Sequence, residues 1–128
     1  MKKTHKLFFS EEPDFAVLGI GSHVKGYKLC WHLNKKLQIE LEKEEEKKEG
    51  LKYTYFDRLL KTEYNLFFNQ IKKGYLLPEK KNINYFLQIR NPFWEKEKKE
   101  LIEKLKTIPE ILLVFELDLK TKTPLFFE

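Results

Sequence analysis

Apolar and polar positions along the chain change period several times, and each change marks an element. Over residues 22–37 the period is helical. At 100° per residue, Leu29, Cys30, Leu33 and Leu37 share one arc. Lys25, Lys28, His32, Lys35 and Lys36 share another, with Val24, Tyr27 and Trp31 beyond its far edge, and no residue of the segment is acidic. The pattern predicts a core helix with a cationic outer surface, opened by Ser22 as N-cap behind Gly19 and Gly21. Gly26 inside it costs up to about 1 kcal/mol relative to Ala. A second helix is expected behind Asn91 as N-cap and Pro92 at the first helical position. Its stripe is Trp94, Leu101, Ile102, Leu105 and Ile108, its wet side carries Glu95-Lys99 and Glu100-Lys104 pairs, and Pro109 ends it.

Elsewhere the period is two. Residues 6–9 predict a short strand, and 15–20 either a buried strand or a run directly into the first helix. Alternation recurs at 38–42, with Ile39 and Leu41 on one face, then at 51–56, 63–71 and 83–89. The mixed-charge run at 42–49, closed by Gly50, predicts a solvated turn. Residues 111–117 are apolar on both parities, which predicts a central strand covered on both faces. The order is β-α-β-β-β-β-α-β. It defines an α+β fold with two helices packed on one mainly antiparallel sheet. A single domain is expected over 1–119 with a C-terminal tail at 120–128, whose Leu125, Phe126 and Phe127 should dock on the body or on a partner.

Composition narrows the class. At 128 residues one domain is the natural expectation, and 41% hydrophobic content suffices for a core. The one cysteine excludes an internal disulfide and a multi-cysteine zinc site, and fits a reducing cytoplasm. Leu7-Phe8-Phe9 is shorter than the roughly 7–15 apolar residues of a signal peptide. Nothing approaches the ~18 apolar residues of a membrane span, so a cytoplasmic protein without membrane attachment is expected. Net charge is +5, with 25 Lys and Arg against 20 Asp and Glu. The total is weak evidence for a nucleic-acid ligand; its placement on the 22–37 segment says more.

Enzyme signatures are thin. Gly19-Ile20-Gly21 lacks the third glycine of a dinucleotide loop, since Val24 stands there, and no Gly-Lys-Ser/Thr follows. A start of helix at Gly21 and Ser22 would still offer free N–H groups to an anion. Ser22 and Lys25 have the spacing of a nucleophile and base, without a recognisable oxyanion partner. Cys30 and His32 diverge around a helix, and His5, His23 and His32 lack metal spacing. No cofactor and no metal site is expected.

Three stretches resemble a small family of uncharacterised proteins from Bacteroidota-type bacteria, the IPExxDVDY family. They are Asp14-Phe15 through His23 with Tyr27-x-Leu29-x-Trp31-x-Leu33-Asn34, residues 75–87, and Ile108-Pro109 with the strand after it. At the naming motif this chain reads Leu77, Pro78, Glu79, Asn82, Asn84 and Tyr85, with asparagines where the motif has aspartates. Asn keeps the hydrogen-bonding shape without the charge. Capping or shaping the turn before the strand is therefore the expected role. The resemblance implies no activity; it carries an association with genes for acyl carrier protein and ribonuclease III functions.

The expected function is that of a non-enzymatic accessory or binding protein. Lys25, Lys28, Trp31, His32, Lys35 and Lys36 would either be a solvated face whose lysine stems cover core or meet an anionic partner. RNA or a ribonucleoprotein is the first such partner. An acidic protein such as acyl carrier protein is the alternative, and an enzyme of unrecognised type a distant third. Only two of the basic residues are Arg, which counts against base-specific readout.

Overall fold

The computed structural model describes residues 14–45, 47–119 and 124–128; the strand expected at 6–9 lies outside them. The 15–20 run forms a strand. β1 spans Ala16–Ser22, and every residue of it is buried. α1 (Gly26–Leu37) follows, then β2 (Glu42–Lys43), β3 (Leu51–Asp57), β4 (Thr62–Phe68) and a small hairpin of β5 (Gln70–Ile71) and β6 (Gly74–Tyr75). A 3-10 turn at Pro78–Lys80 leads to β7 (Tyr85–Arg90), α2 (Trp94–Lys106) and β8 (Ile111–Glu116). Among the described residues the main sheet has six strands in the order β2-β3-β4-β7-β1-β8, and each neighbouring pair is antiparallel. This is the expected α+β arrangement in the expected element order.

Strand alternation gives the sheet two apolar faces. Leu18 and Ile20 of β1, Leu87 and Ile89 of β7, and Leu66 of β4 pack under the helices against Leu29, Leu33 and Leu105. Val17, Phe67 and Phe86 point the other way and are covered by the end of the chain. Phe127 is fully buried there, its ring edge-on to Phe67 at 5.2 Å and to Phe86 at 5.6 Å. The amide of Gln88 donates to the Phe127 carbonyl oxygen. The Phe126-Phe127 end thus docks on the body. Phe127 is part of the core, and Phe126 packs against it.

Four local expectations are corrected. Among the described residues β8 is an edge strand, with only β1 beside it; β7 and β1 occupy the interior. Nor is β8 covered throughout, since Leu112 and Leu113 are exposed; apolar residues on both parities do not report neighbours on two sides. Second, residues 38–41 are not a strand, although Ile39 and Leu41 are buried as their alternation implied. Gln38 adopts a left-handed conformation (φ 56) that ends α1, and the Asn34 side chain brackets Leu41 through both its backbone groups. Third, the 63–71 run breaks at Asn69 into β4 and β5. Fourth, α2 starts at Trp94, because Asn91 closes a turn before the helix, its side-chain oxygen accepting from the Phe93 N–H (2.8 Å) and its backbone carbonyl from the Trp94 N–H (3.0 Å).

Candidate functional site

α1 begins four residues after the expected N-cap, and this relocates the proposed anion site. Gly21 and Ser22 lie in β1, not at a helix start. The Ser22 hydroxyl donates to the Glu110 carbonyl (2.7 Å), and its N–H donates to the Asn84 side chain (2.7 Å). Both Ser22 groups are engaged inside the protein, and the pairing of Ser22 with Lys25 as nucleophile and base is not formed. The N-cap is Lys25, whose carbonyl accepts from Lys28 and Leu29, both at 2.9 Å, without any side-chain cap. Tyr85 fixes the approach by donating its hydroxyl to the Val24 carbonyl (2.6 Å). Gly26 is the first helical residue, and the Phe68 ring lies against its Cα.

Once started, the helix buries the predicted arc. Leu29, Cys30 and Leu33 are in the core, with Leu37 packed at its margin. Burial pushes the Cys30 thiol above its ordinary pKa, and its Sγ faces the Leu41 carbonyl. A protonated, enclosed thiol is a small hydrophobe here rather than a nucleophile.

The opposite face is basic and aromatic. Lys25, Lys28, Lys35 and Lys36 are exposed, and none of them makes an ion pair with a described residue. Trp31 is 54% exposed and Tyr27 65% exposed. The Lys35 ammonium sits over the Trp31 ring, 4.6 Å from its centroid. Tyr27 was expected only beyond the edge of the cationic arc. One turn before Trp31, it shares the exposed stripe, and its angular distance from the leucine arc was the available signal.

His32 departs from the expected group. Its ring turns inward, with Nε2 sheltered from solvent 3.5 Å from Glu110 Oε1. The face therefore comprises the four lysines, Trp31 and Tyr27.

Electrostatics within α1 favour an anion on this face. The first turn contains no acidic residue, while Lys25 and Lys28 sit at the positive end of the helix dipole. Cations there oppose the dipole by about 0.3–1 kcal/mol each at low ionic strength. Lys35 and Lys36 lie in the last turn, where the dipole favours them. A negative ligand along the stripe would relieve the unfavourable end and pair with the favourable one.

The segment around the naming motif is internal scaffolding. Asn84 receives the Ser22 N–H, donates its own N–H to Ile20 (3.0 Å) and accepts from Asn69 through its carbonyl (2.9 Å). Asn69, missed in the sequence, is fully buried and organises the loop. Its side-chain amide donates to the carbonyls of Lys80 (2.9 Å) and Ile83 (2.7 Å), and its side-chain oxygen accepts from Leu77 N–H (2.9 Å). Pro78 and Glu79 form the exposed 3-10 turn, Asn82 is exposed, and Tyr85 holds Val24.

Two concavities lie elsewhere. One, about 310 Å³, sits on the Phe127 side of the sheet over Asn65 and Gln88. Its polar floor is bonded to itself: the Asn65 amide donates to Gln88 and to Glu63 (both 2.8 Å). The other, about 690 Å³, lies between β1 and α2, where Glu116 accepts from Trp94 and Lys98. Among the described residues no three His, Cys, Asp or Glu side chains converge as a metal site would require, and no helix is long and apolar enough to cross a membrane.

No family model, curated protein or solved structure matches the chain.

Proposed function

We propose that this is a cytoplasmic, non-enzymatic binding protein that associates with RNA, alone or in a ribonucleoprotein, through the exposed face of α1. One observation carries the reading: Tyr27 and Trp31 stand exposed among four lysines that no described acid neutralises. Phosphates need cations, and unpaired bases need flat aromatic surfaces on which to stack. Lysines act as point charges on the backbone, so binding is sequence-tolerant. A base stacking on Trp31 takes the place now held by the Lys35 ammonium, which moves onto a phosphate. Descent from the IPExxDVDY family is proposed alongside, on the three stretches that resemble it.

Fluorescence anisotropy with an unstructured RNA oligonucleotide tests this. Neutralising four phosphates predicts a slope of about −3 in log affinity against log salt, or roughly fiftyfold weaker binding between about 50 and 200 mM salt. Lys28→Glu/Lys35→Glu should lower affinity at least about tenfold and flatten the slope. Binding that ignores both salt and this variant would refute the proposal. Retention of a small acidic protein, with RNA unbound, would put the carrier-docking alternative in its place.

A further inference from the structure

The two edges of the main sheet are built differently. On one side β2 is two residues long, Glu42 and Lys43, both exposed and charged. Short, charged edges resist pairing with another chain. On the other side β8 runs for six residues, without Lys or Pro, and displays Leu112 at 62% and Leu113 at 41% exposure. Its single irregularity is a bulge where Ser22 faces Ile111 and Gly21 faces Leu113, which leaves the strand regular from Leu113 onward.

Hydrogen-bond alternation identifies the unpaired groups. The Leu117 N–H donates to the Val17 carbonyl (2.8 Å), so residues 115 and 113 also bond inward to β1. Val114 and Glu116 then direct their backbone N–H and C=O outward, and neither has a further backbone partner among the described residues.

We infer that β8 is a homodimer edge, pairing antiparallel with β8 of a second copy about a two-fold axis at Val114 to give one twelve-stranded sheet. This surface is separate from the α1 face. The register sets Leu113 across from Phe115 of the second copy, covering apolar surface that is now open.

The helix beside the edge is suited to the same symmetry. α2 packs on β8 with its Trp94 end at Glu116. Asn91, directly after the interior strand β7, donates its side-chain amide to Glu97 (2.8 Å), so the Glu97 flank looks inward over the sheet and the opposite flank toward the free edge. At 100° per residue that flank carries Glu95, Lys99, Ile102 and Lys106. A two-fold axis runs the two α2 helices antiparallel, which brings Glu95 of each to Lys106 of the other. Each positive helix end then adjoins a negative one. A C2 interface demands self-complementarity of this kind, which a flexible peptide would not require.

Sedimentation velocity on the full chain, over roughly 1–200 µM where small interfaces associate, tests the inference. The expected species at high concentration has about twice the 15.6 kDa chain mass. Leu113→Glu sets a carboxylate against Phe115 of the second copy and should raise the dissociation constant at least tenfold, whereas Leu113→Met should leave it within about threefold. Glu95→Lys should weaken the dimer, and adding Lys106→Glu should restore it. All these positions are exposed, and circular dichroism checks that the variants fold. A monomer throughout the range would overturn the inference. So would a dimer that Leu113→Glu and Leu113→Met affect alike, or one that the Glu95 and Lys106 exchange does not rescue.

Discussion

Phe127→Ala should destabilise the protein by about 3–5 kcal/mol, the usual range for emptying a buried Phe site. Few single truncations should cost more, because the ring packs against two others at once, Phe67 and Phe86. The residue also anchors cover for the sheet face opposite the helices. Without it Val17, Phe67 and Phe86 lose their lid, and Gln88, itself buried, loses a well-placed acceptor on the Phe127 carbonyl if the segment lifts away. Chemical denaturation measures the change. Phe127→Leu should recover more than half of the loss, and it provides a folded comparison if the alanine variant does not survive purification. A midpoint unchanged in both variants would mean that the end of the chain does not cover the sheet.

Gly26→Ala should destabilise by about 1–3 kcal/mol, against the up to ~1 kcal/mol that helix propensity alone predicts in favour of alanine. A Cβ at this position would lie 1.8 Å from Phe68 Cζ and 2.6 Å from both neighbouring ring carbons. Nor can the ring swing aside freely, since Tyr85 abuts it edge-on at 5.2 Å and Tyr53 flanks it at 6.2 Å. Glycine at 26 is therefore a condition for seating the start of α1 on β4. Phe68→Leu in the Gly26→Ala background should relieve the strain, giving a coupling of at least about 1 kcal/mol in a double-mutant cycle. Stabilisation by Gly26→Ala would mean that α1 sits further from the sheet.

The same two sites show where sequence reading stops. Periodicity located both helices and the buried arc of α1, because Leu29, Cys30 and Leu33 align whatever the tertiary setting. It did not locate the helix start. Ser22 has the local chemistry of an N-cap, but its hydroxyl is claimed by Glu110, 88 residues away. Gly26 looked like a helix interior flaw because Phe68, its reason, is distant in the chain. Edge position was likewise illegible for β8, since apolar residues on both parities read the same with one neighbour or two. His32 fell in the cationic arc by angle alone, and only the Glu110 corner turns it inward. Asn69 gave no signal at all, because it fell inside the 63–71 alternation read as one strand, and its role exists only once its three loop partners fold around it. The exposed lysines and Trp31 were legible, because a helical wheel with one buried arc fixes its opposite side.

Amide and indole chemical shifts of ¹⁵N-labelled protein, followed while unstructured RNA is added at low salt, test the central claim most directly. The account predicts saturable shifts at Tyr27, Lys28, Trp31 with its indole N–H, and Lys35, with the buried Trp94 indole unmoved. Shifts centred elsewhere, or a spectrum that RNA leaves unchanged, would contradict it.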